Sequence, residues 1–121
     1  MTFEPGVDKT ASDVQEEVPE VIEENDVVLF MKGTKHMPQC GYSKTALNTL
    51  QMYVDNVTVV NVMAGPTDAY RDTLEEISEW NTIPQAFVDG EFIGGSDVIE
   101  QLHDEGKLSD ELGEEPSNNP F

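Results

Sequence analysis

Five consecutive residues, Val27-Val28-Leu29-Phe30-Met31, carry no charged or hydrogen-bonding side chain. A strand points successive side chains to opposite faces, so an unbroken apolar run of this length predicts a strand covered on both. That requirement sets the architecture more than any other feature: a sheet with helices on each side.

The flanking segments supply those helices. Ser12 and Gln15 have the spacing of a capping box, and Val14, Val18, Val21 and Ile22 then share one helical face. Pro19 falls inside that pattern and is expected to kink the helix or mark its true start. After the loop KGTKHMPQ, a helix following Cys40 has Ala46, Leu47, Leu50 and Tyr53 as its inner stripe. Val57 to Val62 reads as a second, β-branched strand. Pro66 and Thr67 open a third helix, with Tyr70, Leu74, Ile77 and Trp80 as its inward candidates. Ala86-Phe87-Val88 and Phe92-Ile93 flank Asp89-Gly90, the signal of a type I′ hairpin. Val98, Ile99 and Leu102 lie on a last helix, which Leu108 and Leu112 could extend.

The order is α-β-α-β-α-β-β-α. Strands linked through helices are expected to pair in parallel by right-handed crossovers, and the hairpin adds an antiparallel pair. The fold class is therefore α/β: a three-layer α/β/α arrangement with a four-stranded mixed sheet, thioredoxin-like. Residues 12–112 form the expected domain. Residues 1–11 are expected to be a mobile extension and 113–121, GEEPSNNPF, a polar acidic tail.

Charge limits the partners. The 25 acids against 6 bases give a formal net charge of -19, which repels nucleic-acid backbones and anionic membranes and suits a surface solvated in concentrated salt. No apolar run approaches the roughly 18 residues that span a bilayer. The start MTFEPGVDKTASD has neither the basic nor the apolar region of a signal peptide. One cysteine allows no intramolecular disulfide, so the cytosol is the expected compartment.

The acids are unevenly spread. From Val27 to Val54 there are none, in 28 residues where the average frequency predicts roughly six. Lys32, Lys35 and Lys44 lie in that stretch with His36 and Cys40. Buried strand and helix faces explain part of the gap, but the loop from 32 to 44 also gathers bases. Cys40 falls where this loop meets a helix N-terminus, whose free N–H groups and dipole favour a thiolate. Its neighbours Pro38, Gln39, Gly41 and Lys44 are poor core residues, so a reactive thiol is expected rather than a buried one. His36 and His103 are expected to be solvated rather than metal-binding.

Met31-Lys32-Gly33-Thr34, Pro38, Cys40-Gly41-Tyr42-Ser43, Trp80-Asn81-Thr82-Ile83-Pro84-Gln85 and Gly94-Gly95-Ser96-Asp97 together resemble the monothiol glutaredoxins of the Cys-Gly-Phe-Ser type, over about residues 13 to 110. The resemblance implies glutathione binding and a [2Fe–2S] cluster shared by a homodimer, each chain contributing its active-site thiolate and one glutathione. It implies Cys40 as catalytic thiolate and cluster ligand. It implies Lys32 and Arg71 on the glycine carboxylate, the backbone of Ile83 beside a cis Pro84 on the central cysteine, and Ser96 and Asp97 on the γ-glutamyl end. Asp97 equally suits a helix N-terminal acid, and Arg71 a solvated helix surface. Tyr42, Asn81, Lys35 and Ser96 depart from a common phenylalanine, two prolines and a second cysteine. Asn81 is expected to loosen its turn. In a salt-adapted cell γ-glutamylcysteine could replace glutathione, leaving Lys32 and Arg71 without the glycine they would meet.

Three functions follow from this resemblance. The first is a cluster carrier between an iron–sulfur scaffold and recipient apo-proteins. The second is a one-cysteine oxidoreductase that removes glutathione-type adducts. The third is a regulatory heterodimer with a BolA-type protein.

Overall fold

The computed structural model describes residues 9–116. Most of the two expected mobile ends, residues 1–8 and 117–121, lies outside the described residues. Lys9 to Ala11, expected to belong to the extension, are part of the fold. Thr10 caps α1 (Ala11–Glu24) in a capping box with Asp13, two residues upstream of the expected Ser12–Gln15 pair. Lys9 Nζ pairs with Glu17 at 2.8 Å and donates to the Tyr70 hydroxyl at 2.9 Å, tying the chain start to a later helix. Pro19 marks no new start; it sits exposed inside α1, where one missing i→i−4 bond is tolerated.

Strand β1 (Val27–Met31) is buried along its whole length, as the opening run requires. Helix α2 spans Gly41–Gln51, β2 Thr58–Asn61 and α3 Thr67–Ser78. The hairpin β3 (Gln85–Val88) and β4 (Glu91–Gly94) turns through Asp89 and Gly90, both at positive φ (51° and 84°), which is the type I′ geometry. Helices α4 (Ser96–Asp104) and α5 (Leu108–Leu112) are separate, because Gly106 at φ 71° breaks the helix that Leu108 was expected to extend.

The sheet order is β2-β1-β3-β4. β1 and β2 are parallel, but β3 runs antiparallel to β1, contrary to the expectation for strands joined through a helix. The chain leaving α3 through residues 79–84 enters the sheet from the opposite end.

The period of two along β1 divides the core. Val27, Leu29 and Met31 pack with Ala46, Leu47, Leu50, Ile99 and Leu108 beneath α2, α4 and α5. Val28 and Phe30 pack with Val14, Val18, Ile22, Tyr70 and Leu74 of α1 and α3, with Phe30 edge-on to Phe87 at 5.7 Å. Ile77 and Trp80 are not inward: they are 42% and 55% exposed. Glu79 closes α3 at φ 68°, so the helical stripe ends before Trp80. No helix among the described residues is long and apolar enough to cross a membrane.

Candidate functional site

The loop after β1 is folded tightly enough to fix where Cys40 stands. Thr34 and Met37 exchange backbone hydrogen bonds of 3.1 and 3.2 Å, and the Gln39 N–H donates to the Lys32 carbonyl at 2.9 Å. Gly33 adopts φ 99°, and a Cβ there would strike the Met37 carbonyl and the Gln39 nitrogen. The Asn61 side chain fastens this loop to the end of β2: its Oδ1 accepts from the Gly33 N–H at 3.0 Å and the Met63 N–H at 2.9 Å. Sequence reasoning missed Asn61, whose signal is a polar residue in the β-branched run VTVVNV.

Cys40 is half-buried, in extended conformation, at the N-cap of α2. It is the group whose carbonyl receives the first helical hydrogen bond, from Lys44 N–H at 2.9 Å. The N–H groups ahead of that bond are open to the sulfur. Chiefly the Ser43 N–H, then the Tyr42 N–H, the Ser43 hydroxyl and the Lys32 charge, pull the thiol below its ordinary value of 9.0 against an opposing desolvation. Ser43 is buried, and its Oγ accepts from the Lys32 N–H at 3.1 Å, which leaves its proton for the sulfur. Of the bases clustered in the sequence, only Lys32 acts on Cys40. Lys35 and His36 line a separate open cleft of about 580 Å³ along the outer edge of β2.

The rate of Cys40 alkylation by iodoacetamide is therefore expected to inflect at lower pH in the folded chain than in the urea-unfolded one, because the folded thiol loses its proton first. An equal or higher inflection on folding would contradict this electrostatic arrangement.

Two clefts meet at Ile83. A larger one, about 600 Å³, is lined by Lys32, Asp68, Arg71, Asp72, Glu75, Asn81, Thr82 and Ile83. A smaller one, about 300 Å³, runs over Tyr42, Trp80, Thr82, Ile83 and Pro84 to Ser96 and Asp97. The five expected ligand-binding residues thus fall along one groove, with Ile83 common to both parts. Cys40 lines neither part but is joined to each, through the charge of Lys32 and through Tyr42 two residues on.

Each part of the groove presents unused hydrogen-bonding groups. Arg71 Nε is buried without a partner, and neither Arg71 nor Lys32 makes an ion pair among the described residues. The Ile83–Pro84 bond is cis, and Ile83 lies just before β3 with no backbone hydrogen bond among the described residues. Gly95 caps α4 with no side-chain bond, so the first N–H groups of that helix face the smaller cleft, where Ser96 is buried and Asp97 exposed. A Cβ on Gly95 would come within 3.1 Å of the Pro84 carbonyl, so a side chain there would press on the close approach of these two segments.

Gln85 and Ser78, also missed by sequence reasoning as side chains with a role, hold the segment that carries Ile83. Gln85 is fully buried, and its Nε2 donates to the Trp80 carbonyl at 2.7 Å and the Thr82 carbonyl at 3.1 Å. Ser78 Oγ lies 2.8 Å from Gln85 Oε1 and accepts from the Trp80 N–H at 3.1 Å. His103 is half-exposed, and it is not unpaired as the sequence suggested: its Nδ1 is 2.6 Å from the Tyr53 hydroxyl. His36 is exposed. Tyr42 is 66% exposed, its ring standing over the smaller cleft.

Comparison with known proteins gives this geometry a context. The sequence profile described as Glutaredoxin matches residues 27–93. The Danio rerio protein named "Glutaredoxin-related protein 5, mitochondrial" is 40% identical over 99 residues, covering 81% of this chain and 63% of that one. The chain thus spans less than two thirds of the zebrafish protein. The Saccharomyces cerevisiae "Monothiol glutaredoxin-5, mitochondrial" is 40% identical over 107 residues, covering 86% of this chain and 70% of the yeast protein. The solution structure of reduced poplar apo GrxS14 superposes with a TM-score of 0.72 at 35% identity, covering 84% of this chain and 92% of the poplar chain.

Proposed function

This chain belongs to the glutaredoxin family, in its monothiol branch, and from that premise we propose that it carries a [2Fe–2S] cluster as cargo between a scaffold and recipient apo-proteins. The observation behind this reading is a solitary, half-exposed cysteine whose thiolate is favoured, set beside a groove of unused hydrogen-bonding groups. A [2Fe–2S] centre takes four thiolates when all its ligands are sulfur. One chain has one cysteine, so two chains and two small thiols complete the set. In that arrangement Cys40 Sγ is the protein's ligand, and the small thiol is glutathione or γ-glutamylcysteine.

The groove residues divide the tripeptide among them. Lys32 and Arg71 take the glycine carboxylate, the free backbone of Ile83 pairs with the central cysteine, and the open N–H groups at Ser96 meet the γ-glutamyl carboxylate while Asp97 meets its ammonium. γ-Glutamylcysteine keeps the Ile83 and Asp97 contacts and gives up the glycine carboxylate. Because two of the four sulfurs belong to dissociable thiols, cargo held this way can leave by ligand exchange.

Anaerobic reconstitution with iron, sulfide and each thiol in turn tests the proposal, read by native mass spectrometry. The expected species contains two chains, two small thiols and one cluster, and the better-retained thiol identifies the physiological type. Only cluster-free single chains with both thiols would overturn it.

The lowered Cys40 pKa also favours a second reading, adduct removal. The Cys40 thiolate attacks the glutathione sulfur of a mixed disulfide, the substrate thiol leaves as thiolate and takes a proton, and glutathionylated Cys40 is reduced by a second glutathione, which departs as the oxidised dimer. A glutathione-reductase-coupled assay on the apo-protein separates the two readings by turnover.

A further inference from the structure

The larger cleft is populated by charges of both signs. Asp68, Arg71, Asp72 and Glu75 have the i, i+3, i+4, i+7 spacing of one helical face, and all four line the cleft with Lys32. None of the three carboxylates pairs with either cation, and Arg71 Nε is buried without a partner among the described residues. The cations are therefore available to a ligand, yet their surroundings carry three formal negative charges against two positive.

We propose that Asp68, Asp72 and Glu75 are specificity-determining residues which make this end of the groove select its ligand by charge in a salt-dependent sense: a thiol peptide with a neutral far end is relatively favoured in dilute buffer, and one ending in a carboxylate in concentrated salt. The proposal rests on the reading that the groove holds a glutathione-type thiol. A ligand carboxylate here meets two kinds of interaction. Its bonds to Arg71 and Lys32 are made at contact with half-buried cations, Arg71 Nε being fully covered, and partly buried pairs are screened much less than exposed ones. Its repulsion from the three acids acts through space, and screening shortens such interactions from about 10 Å at 0.1 M to about 3 Å at 1 M. Salt therefore removes more repulsion than attraction, the reverse of the usual behaviour of a cationic site. The formal charge of -19 adds a diffuse repulsion of the same sign, which the test must separate from the local one.

The probes are S-methylglutathione and its C-terminal glycinamide, titrated calorimetrically at about 0.1 M and about 2 M KCl. The ratio of acid to amide affinity is read, because general effects of salt on the peptide cancel in it. The expected rise in that ratio for the wild-type chain is about fivefold. In the double variant Asp72→Asn, Glu75→Gln the ratio is already high in dilute buffer and changes by less than about twofold. Asp68 is left in place because it stabilises the first turn of α3. A second double variant, Asp55→Asn after α2 with Asp104→Asn at the end of α4, removes as much charge from exposed positions of the opposite layer and keeps the wild-type response.

A ratio that falls with salt, or a control that flattens as much as the cleft variant, overturns the proposal while leaving the groove intact. If neither peptide binds at either salt concentration although circular dichroism shows the chain folded, the reading of the groove itself fails.

Discussion

Cys40→Ser is expected to abolish both the visible absorption of the reconstituted protein and any turnover on mixed disulfides, without unfolding the chain. The reasoning starts from position. Cys40 is the N-cap of α2, in extended conformation, and a serine oxygen in that place is among the preferred caps. The helix therefore keeps or improves its start, and stability is expected to stay within about 1 kcal/mol of wild type. What disappears is the thiolate. The N–H groups of Ser43 and Tyr42 and the charge of Lys32 bring a thiol below its ordinary value, but a hydroxyl starts too far above neutrality for the same groups to ionise it. Sulfur ligation and sulfur nucleophilicity are lost together. The measurements are iron and sulfide content after anaerobic reconstitution, the visible spectrum, and thermal unfolding in parallel. A folded Cys40→Ser protein that retained stoichiometric iron and sulfide would remove the basis of the cluster reading.

The part of this site that is local in sequence was legible there. The apolar run 27–31, the Asp89-Gly90 turn and a cysteine at a loop-to-helix boundary each act through immediate neighbours, and each stands as expected. Features set by a distant partner were not legible. Thr10–Asp13 and Ser12–Gln15 satisfy nearly the same spacing rule, and the choice falls on Thr10, with Lys9 beside it bonded to Tyr70, 61 residues away. The direction of β3 depends on the route of residues 79–84, which carries no periodic signal. Asn61 and Gln85 look like chance polar residues in strands, because the groups they serve, Gly33 and the carbonyls of Trp80 and Thr82, become neighbours only on folding. The unusual charge of the 32–44 loop was legible, but its division was not: Lys32 faces the groove while Lys35 and His36 face the β2 edge.

Gln85→Leu is expected to cost about 2–4 kcal/mol of folding stability, and to weaken thiol-peptide binding roughly tenfold or more, while leaving the pH dependence of Cys40 alkylation unchanged. Leucine is close to glutamine in volume, so little cavity opens; the cost is polar. Gln85 is fully buried, and its amide supplies donors to the carbonyls of Trp80 and Thr82 and an acceptor to Ser78. Leucine satisfies none of them; the Ser78 hydroxyl can turn to the Leu74 carbonyl at 2.9 Å, but the carbonyls of Trp80 and Thr82 lose their donor, and each group left unpaired away from water costs about 1–3 kcal/mol. Trp80 is exposed, so water can reach part of that segment, and the sum stays below the full total for two such groups. At about 4 °C for each kcal/mol in a domain of this size, the midpoint of thermal unfolding should fall by about 8–16 °C. Binding suffers because the segment held by Gln85 carries Thr82 and Ile83, which line both parts of the groove. Cys40 is untouched, since the groups that act on its sulfur come from α2 and Lys32. The separation of the two readouts is the decisive result: a variant with wild-type stability and affinity would show that the buried amide does not hold the groove in shape, and an alkylation profile displaced along with the affinity would show that the groove and the thiol are one electrostatic unit.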